Sequence, residues 1–69
     1  MRNDIFLKQI GAKIKAARKA NKMTLETLAE LSGIDMSNIW FIEKGQRNIH
    51  ILTLKALADV FCLDIKYFL

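Results

Sequence analysis

Apolar residues recur at the spacing of an α-helix along almost the whole chain, and no stretch alternates convincingly with the period of two that a half-buried strand needs. Asn3 or Asp4 can cap a first helix running to about Asn21, with Ile10, Ile14 and Ala17 on one face and Phe6 one turn earlier. Asn21-Lys22 breaks that pattern. Thr24 is suited to cap a short second helix whose apolar side is Leu25, Leu28, Ala29 and Leu31. Ser32-Gly33 closes it, because glycine tolerates the left-handed geometry just past a helix end. Asp35 can cap a third helix, Met36 to Lys44, with Ile39 and Ile42 facing inward and Gly45 as its stop. Gln46 to Ile49 reads as a loop. A fourth helix follows from about Ile51 to Phe61, with Leu54, Leu57, Ala58 and Phe61 on one side, and Asp64 can cap a last short turn, Ile65 to Leu69. The expected architecture is all-α: five helices in one compact domain spanning residues 1–69, without strand, linker or repeat.

Length and composition narrow the possibilities further. A chain of 69 residues buries only about 60% of its unfolded surface, so the helices must share a single core. No apolar run approaches the roughly 18 residues of a membrane span. The start, Met1 to Lys8, has no long apolar stretch and carries an acid, so it does not read as a signal peptide. The single cysteine, Cys62, cannot form an intrachain disulfide and fits a reducing compartment; a cytoplasmic location is expected. The formal charge of +4 is a mild pointer to a polyanionic partner. That charge is uneven. Residues 1–22 hold Arg2, Lys8, Lys13, Lys15, Arg18, Lys19 and Lys22 against Asp4 alone, whereas the remainder is slightly acidic. The bland account of these lysines is the solvated face of the first helix.

The most informative spacing is Leu28-Ala29-x-x-x-Gly33-Ile34 followed by Ile39-x-x-Ile42-Glu43-x-Gly45. Small Ala29 stands where two steeply crossed helices come closest, Gly33 permits a sharp turn, and Ile34, Ile39 and Ile42 lock the next helix onto the rest. This is the mechanical requirement of a helix-turn-helix, whose second helix projects into a DNA major groove.

With these residues in view, the chain resembles the phage repressor/Cro-type helix-turn-helix family (the XRE family), within which restriction–modification controller proteins look similar. The resemblance rests on Ile10-Gly11-Ala12-Lys13-Ile14, Arg18, Met23-Thr24, Leu28-Ala29, Gly33-Ile34, Ile39, Ile42-Glu43-Lys44-Gly45, Arg47-Asn48, Leu54, Ala58, Leu63 and Phe68. It implies a lambda-repressor-like fold and a dimeric transcriptional regulator, with the third helix reading bases and the flanking turns gripping phosphate. It also implies a partly buried ion pair between Arg18 and Glu43, a structural pair for which the arginine fork is well shaped. Thr24 would cap the second helix so that its free N–H groups meet a phosphate, although capping alone accounts for the residue equally well.

Two departures stand out. Relatives usually carry glutamine at the start of the second helix, where this chain has Leu25. The outward side of the third helix holds Met36, Ser37, Trp40 and Phe41, with Asn38 and Lys44 on its flanks, in place of the Arg, Gln, Asn and Lys that ordinarily match base edges. The expected base-facing set is therefore Met36, Ser37, Asn38, Trp40 and Phe41, with the apolar members on thymine methyls or sugar. The expected phosphate contacts are Lys22, Thr24, Lys44, Gln46 and Arg47. Two other readings stay open for Trp40 and Phe41: one of them packs against the fourth helix or the preceding turn, or the apolar face binds a partner protein.

His50 is read as a surface residue or weak cap, and Cys62, where relatives often have glycine, as a buried packing thiol. No His lies in a recognisable spacing with Cys or Ser, and there is no Gly-rich phosphate loop and no cluster of metal ligands, so the chain is not expected to be an enzyme. No cofactor, metal, membrane or small-molecule substrate is expected either; double-stranded DNA is the expected partner. Ile65, Tyr67 and Leu69 crowd apolar surface into the last turn and are the expected contacts with a second copy, Phe68 facing the core. A twofold dimer of this kind would require a palindromic operator and would act, in the first instance, as a repressor.

Overall fold

The computed structural model describes residues 2–69. It contains α1 (Arg2–Ala20), α2 (Leu25–Ser32), α3 (Met36–Glu43) and α4 (Ile51–Val60), followed by a single 3-10 turn, Ile65–Phe68. The expected fifth helix is thus not an α-helix. The segment after Asp64 has only four residues to close, and the tighter i→i+3 pattern is the one that short terminal pieces adopt. The Asp64 carboxylate accepts the Lys66 N–H at its start. Helix α1 also begins earlier than expected. Asn3 and Asp4 lie inside it, where Asp4 complements the helix dipole in the first turn rather than capping.

The interior boundaries follow from local chemistry. Thr24 Oγ1 accepts the Thr27 N–H at 3.0 Å and opens α2, and Asp35 accepts the Asn38 N–H at 3.3 Å and opens α3. Gly33 ends α2 at φ 75°, its N–H bonded to the Ala29 carbonyl at 2.9 Å. A side chain at Gly33 would touch nothing, so the residue is needed for its backbone angle and not for space. The turns after α1 and α4 make the same left-handed excursion with Lys22 and Cys62, each at φ 56°. Such a conformation costs an L-residue roughly 1–2 kcal/mol. Cys62 is exposed there, contrary to the expected buried thiol, because the position past the helix end turns its side chain away from the core.

The core is built from Ile10, Ile14 and Ala17 of α1, Leu28 of α2, Ile39 and Ile42 of α3, Leu54, Leu57 and Ala58 of α4, with Phe61 and Phe68 behind them. Two residues expected on inward faces lie outside it. Leu31 is 60% exposed because the inward line of α2 runs through buried Leu28 and half-buried Leu25, Ala29 and Ser32, leaving Leu31 about 100° off that line. Phe6 is 47% exposed because α1 overshoots the core by a turn. There it lines an open groove of about 330 Å³ with Leu7, Ile49, Ile51 and Leu69.

Helix α3 packs on α1 and α2, α2 also packs on α4, and the 3-10 turn rests on α4 and α1. The crossing of α1 with the end of α3 is backbone against backbone. A Cβ added to Gly11 would lie 2.3 Å from the Ile42 carbonyl oxygen and 2.7 Å from that of Glu43. Just beyond, one added to Gly45 would lie 2.7 Å from Lys8 Cα, and Gly45 itself is at φ 72°. Glycine at these two points lets the end of α3 lie directly on α1. Gly11→Ala is therefore expected to destabilise the fold by about 1–3 kcal/mol, the overpacking penalty, even though alanine is favoured in a helix by about 1 kcal/mol. Chemical denaturation measures this, and an unchanged or raised midpoint would contradict the close crossing.

Candidate nucleic-acid interface

An eight-residue helix is too short to be stable alone, so α3 owes its position to tertiary contacts. Ile39 and Ile42 hold its inner side in the core. Its C-terminal end is held by Arg18, which reaches across from the last turns of α1. Arg18 Nε donates to Glu43 Oε2 at 2.8 Å and Nη2 donates to Glu43 Oε1 at 3.0 Å, a two-pronged pair. The third arm, Nη1, donates to the Met23 carbonyl at 3.0 Å in the turn between α1 and α2. The two side chains are only 10% and 5% exposed. The bond to Glu43 raises the Arg18 pKa above its ordinary value; burial works against that rise and the Glu43 charge adds to it. A raised cation stabilises the fold at every pH below its ordinary pKa, so Arg18 itself stays charged through the whole working range.

At the other end of α3, the Asp35 carboxylate accepts the Asn38 N–H; its pKa lies below the usual value, lowered first by the neighbouring Ser37 hydroxyl and then by the Asn38 bond, with burial working against this and the Ser37 backbone and the Arg47 charge adding to it. A lowered carboxylate stabilises above its ordinary pKa and loses that contribution as pH falls through the lowered one.

Between these anchors α3 presents its outer side. Met36 and Trp40 are 47% and 43% exposed, and Ser37 is exposed beside them. Asn38 and Phe41 are half-buried and already engaged. Arg47, from the loop after α3, donates through Nη1 to Asn38 Oδ1 at 3.0 Å and lays its guanidinium carbon 4.3 Å from the centre of the Phe41 ring. The Phe41 and Trp40 rings meet edge to face at 5.0 Å, and Lys44 Nζ stands 5.2 Å from the centre of the Trp40 ring. Of the five side chains expected to face bases, Asn38, Trp40 and Phe41 thus each support a cation, and Met36 and Ser37 do not. Neither aromatic packs into the core. The spacing of the sequence carried no sign of Arg47 folding back nine residues onto Asn38.

The other expected phosphate ligands, Lys22, Thr24, Lys44 and Gln46, are all exposed. Thr24 lies at the N-terminus of α2, its hydroxyl shared between the Thr27 amide and the Thr27 hydroxyl. His50 stands before α4 with no capping bond from its side chain. At the far end of the chain Tyr67 and Leu69 are exposed, while Ile65 is half-buried against the core. Ile51 and Leu52 at the start of α4 add exposed apolar surface that the sequence reading did not single out; both precede the buried line Leu54-Leu57-Ala58. Among the described residues there is no group of three or more His, Cys, Asp or Glu side chains able to hold a metal ion, and no helix is long and apolar enough to cross a membrane.

Residues 14–68 match the helix-turn-helix family HTH_3, from the middle of α1 through the terminal turn. The chain belongs to the HTH_3 family. Among solved structures, it is similar to the restriction-modification controller protein C.AhdI from Aeromonas hydrophila. The two are 32% identical over 91% of this chain and 96% of that one, with a TM-score of 0.88. It is also similar to an HTH_3 family transcriptional regulator from Vibrio cholerae, with 27% identity, a TM-score of 0.89 and coverage of 96% of this chain but only 37% of that one. No curated protein matches the sequence. The HTH_3 match encloses both halves of the Arg18–Glu43 pair; the Gly11 crossing lies ahead of it.

Two outcomes follow from this geometry. Glu43→Ala leaves the Arg18 guanidinium buried without its carboxylate and is expected to cost about 3 kcal/mol, read from a urea melt; an unchanged midpoint would show the pair to be idle. On acidification, the Asn38 amide is expected to lose its hydrogen-bonded chemical shift at a pH below the ordinary aspartate value. A transition at or above that value would remove the Asp35 cap from the account.

Proposed function

We propose that this HTH_3 chain is a sequence-specific DNA-binding transcriptional regulator that acts as a homodimer on a palindromic operator. In this reading α3 enters the major groove, Met36 and Ser37 face base edges and thymine methyls with Trp40 beside them, and Lys22, Thr24, Lys44, Gln46 and Arg47 meet phosphates. The observation that carries it is the mounting of α3. The helix is fixed by its inner side and both ends, its outer face is left open, and cations stand along that face. Likeness to a restriction-modification controller protein along nearly the full length of both chains supports the regulatory role.

Tyr67 and Leu69, with the outer part of Ile65, form the contact between two copies. A twofold arrangement sets the two α3 helices about one DNA turn, roughly 34 Å, apart. Binding across a promoter then excludes polymerase, making repression the default outcome. A second reading is favoured by the exposed Met36 and Trp40: an interaction module of the same fold whose α3 binds a partner protein.

Selection from a randomised duplex library, followed by binding of the enriched duplex against salt, separates the two. A twofold-symmetric motif with a steep salt dependence is the expected result. Arg47→Ala is expected to weaken binding to every sequence and to lower the salt slope by about one unit. An absence of any motif, with weak binding that salt abolishes, would overturn the DNA reading in favour of the protein partner. Sedimentation equilibrium showing only monomer at tens of micromolar would overturn the dimer.

A further inference from the structure

Along the outer side of α3, four side chains form one continuous row: Lys44 over the Trp40 ring, Trp40 edge-on to Phe41, and Arg47 over the Phe41 ring. Two aromatic rings thus separate and support two cations. Asn38 completes the row by accepting one N–H of Arg47 through Oδ1. A guanidinium has five N–H donors, so this bond leaves four for another acceptor. We infer that Trp40, Phe41 and Asn38 are positioning residues, a bracket that fixes Lys44 and Arg47 for phosphate on either side of α3, and that base discrimination falls on Met36 and Ser37 at its N-terminal end.

The physical argument starts from the cost of ordering. Arginine and lysine carry about 2 kcal/mol of rotamer entropy each, and a surface cation must surrender much of it on gripping a phosphate. A cation already seated on a ring face, with one N–H spent on a neighbour, has surrendered part of that freedom before DNA arrives. Phe41 can act as such a seat because it is itself half-buried and braced by Trp40. The arrangement also explains why the outer side of this helix is aromatic where base-reading amides and guanidinium groups would be usual. The rings hold the charges, and the charges meet the DNA. Arg47 sits on the loop after α3, yet its bond to Asn38 and its seat on the Phe41 ring tie it in register to the helix that enters the groove.

The inference rests on the DNA-binding reading above, and the test keeps the two apart. Full-length wild type, Phe41→Leu, Asn38→Ala, Arg47→Ala and the two double variants with Arg47→Ala are titrated with the duplex enriched by selection and with a scrambled duplex of equal length. Phe41→Leu and Asn38→Ala are each expected to weaken binding to both duplexes by roughly 3- to 10-fold, with the enriched motif unchanged on reselection. Each double variant is expected to bind no more weakly than Arg47→Ala alone, since the bracket has no other cation to place on that side. A changed motif in Phe41→Leu or Asn38→Ala, or losses that multiply with Arg47→Ala, would overturn the inference. In the free protein, the Arg47 side-chain protons are expected to show an upfield ring-current shift that Phe41→Leu abolishes; wild type without that shift has no bracket. Asn38→Ala removes no apolar core contact, so it tests the idea even if Phe41→Leu unfolds. Failure of wild type itself to bind either duplex would instead sink the DNA reading, and the inference with it.

Discussion

The guanidinium of Arg18 is the point on which the arrangement turns. Its three arms join three pieces of chain: launched from α1, two end on the last residue of α3 and the third on the turn before α2. A buried ion pair of this sort adds little net stability over an apolar substitute, because removing both charges from water costs about what their attraction returns. What it supplies is geometry. An apolar contact tolerates sliding, whereas a forked guanidinium on a carboxylate accepts one orientation. The backbone crossing at Gly11 sets how closely α3 approaches α1, and the Arg18 fork sets where along α1 that approach occurs. An eight-residue helix with two buried isoleucines needs both constraints to be held rigidly enough for its outer side to be read by another molecule.

Much of this was legible in the sequence, for a reason that can be stated residue by residue. Thr24, Asp35 and Gly33 act within three or four positions of themselves, so their roles follow from type and place alone. The inward line of α4, Leu54-Leu57-Ala58-Phe61, is a helical stripe that needs no partner to be seen. Arg18 and Glu43, by contrast, lie 25 positions apart, and only family resemblance joined them beforehand. Gly11 is silent in a sequence, since a glycine within a helical pattern reads as a weakness until the neighbouring backbone is known. Leu31 and Phe6 were placed inward because an apolar residue near a stripe is counted with it. The angle actually covered by neighbouring helices is decided by packing, which periodicity does not contain. The seat of Arg47 is hidden for the same reason in reverse, since its guanidinium lies back on Phe41 and Asn38 where spacing rules treat a loop cation as free.

The charge distribution shows how loosely sequence position and role are coupled. The first 22 residues carry most of the basic groups, yet Arg18 is consumed internally and Lys13, Lys15 and Lys19 stand on the exposed side of α1. The cations seated beside α3 come instead from the slightly acidic remainder: Lys44 one turn beyond Trp40, and Arg47 on the following loop. Net charge draws a polyanion toward the molecule as a whole, while where it settles depends on cations whose positions are fixed. An aromatic pair braced on a rigid helix fixes them without placing a charge in the core.

The same economy separates the two apolar surfaces of the molecule. Helix α3 packs on α1 and α2, whereas the terminal turn that carries Tyr67 packs on α4 and α1. Exposed Met36 and Trp40 therefore belong to one set of supports and exposed Tyr67 and Leu69 to another, with α1 shared between them. A core this small leaves apolar side chains in water when it has no room to bury them, and each then raises the cost of staying solitary. Placing them on elements with different supports means that occupying one surface need not deform the other. The long α1 is the strut that makes this possible. It carries the Gly11 crossing and the Arg18 fork toward α3, and Phe6 on the groove that Leu69 also lines. Any coupling between assembly at the C-terminal end and the posture of α3 has its most direct mechanical route through that one helix.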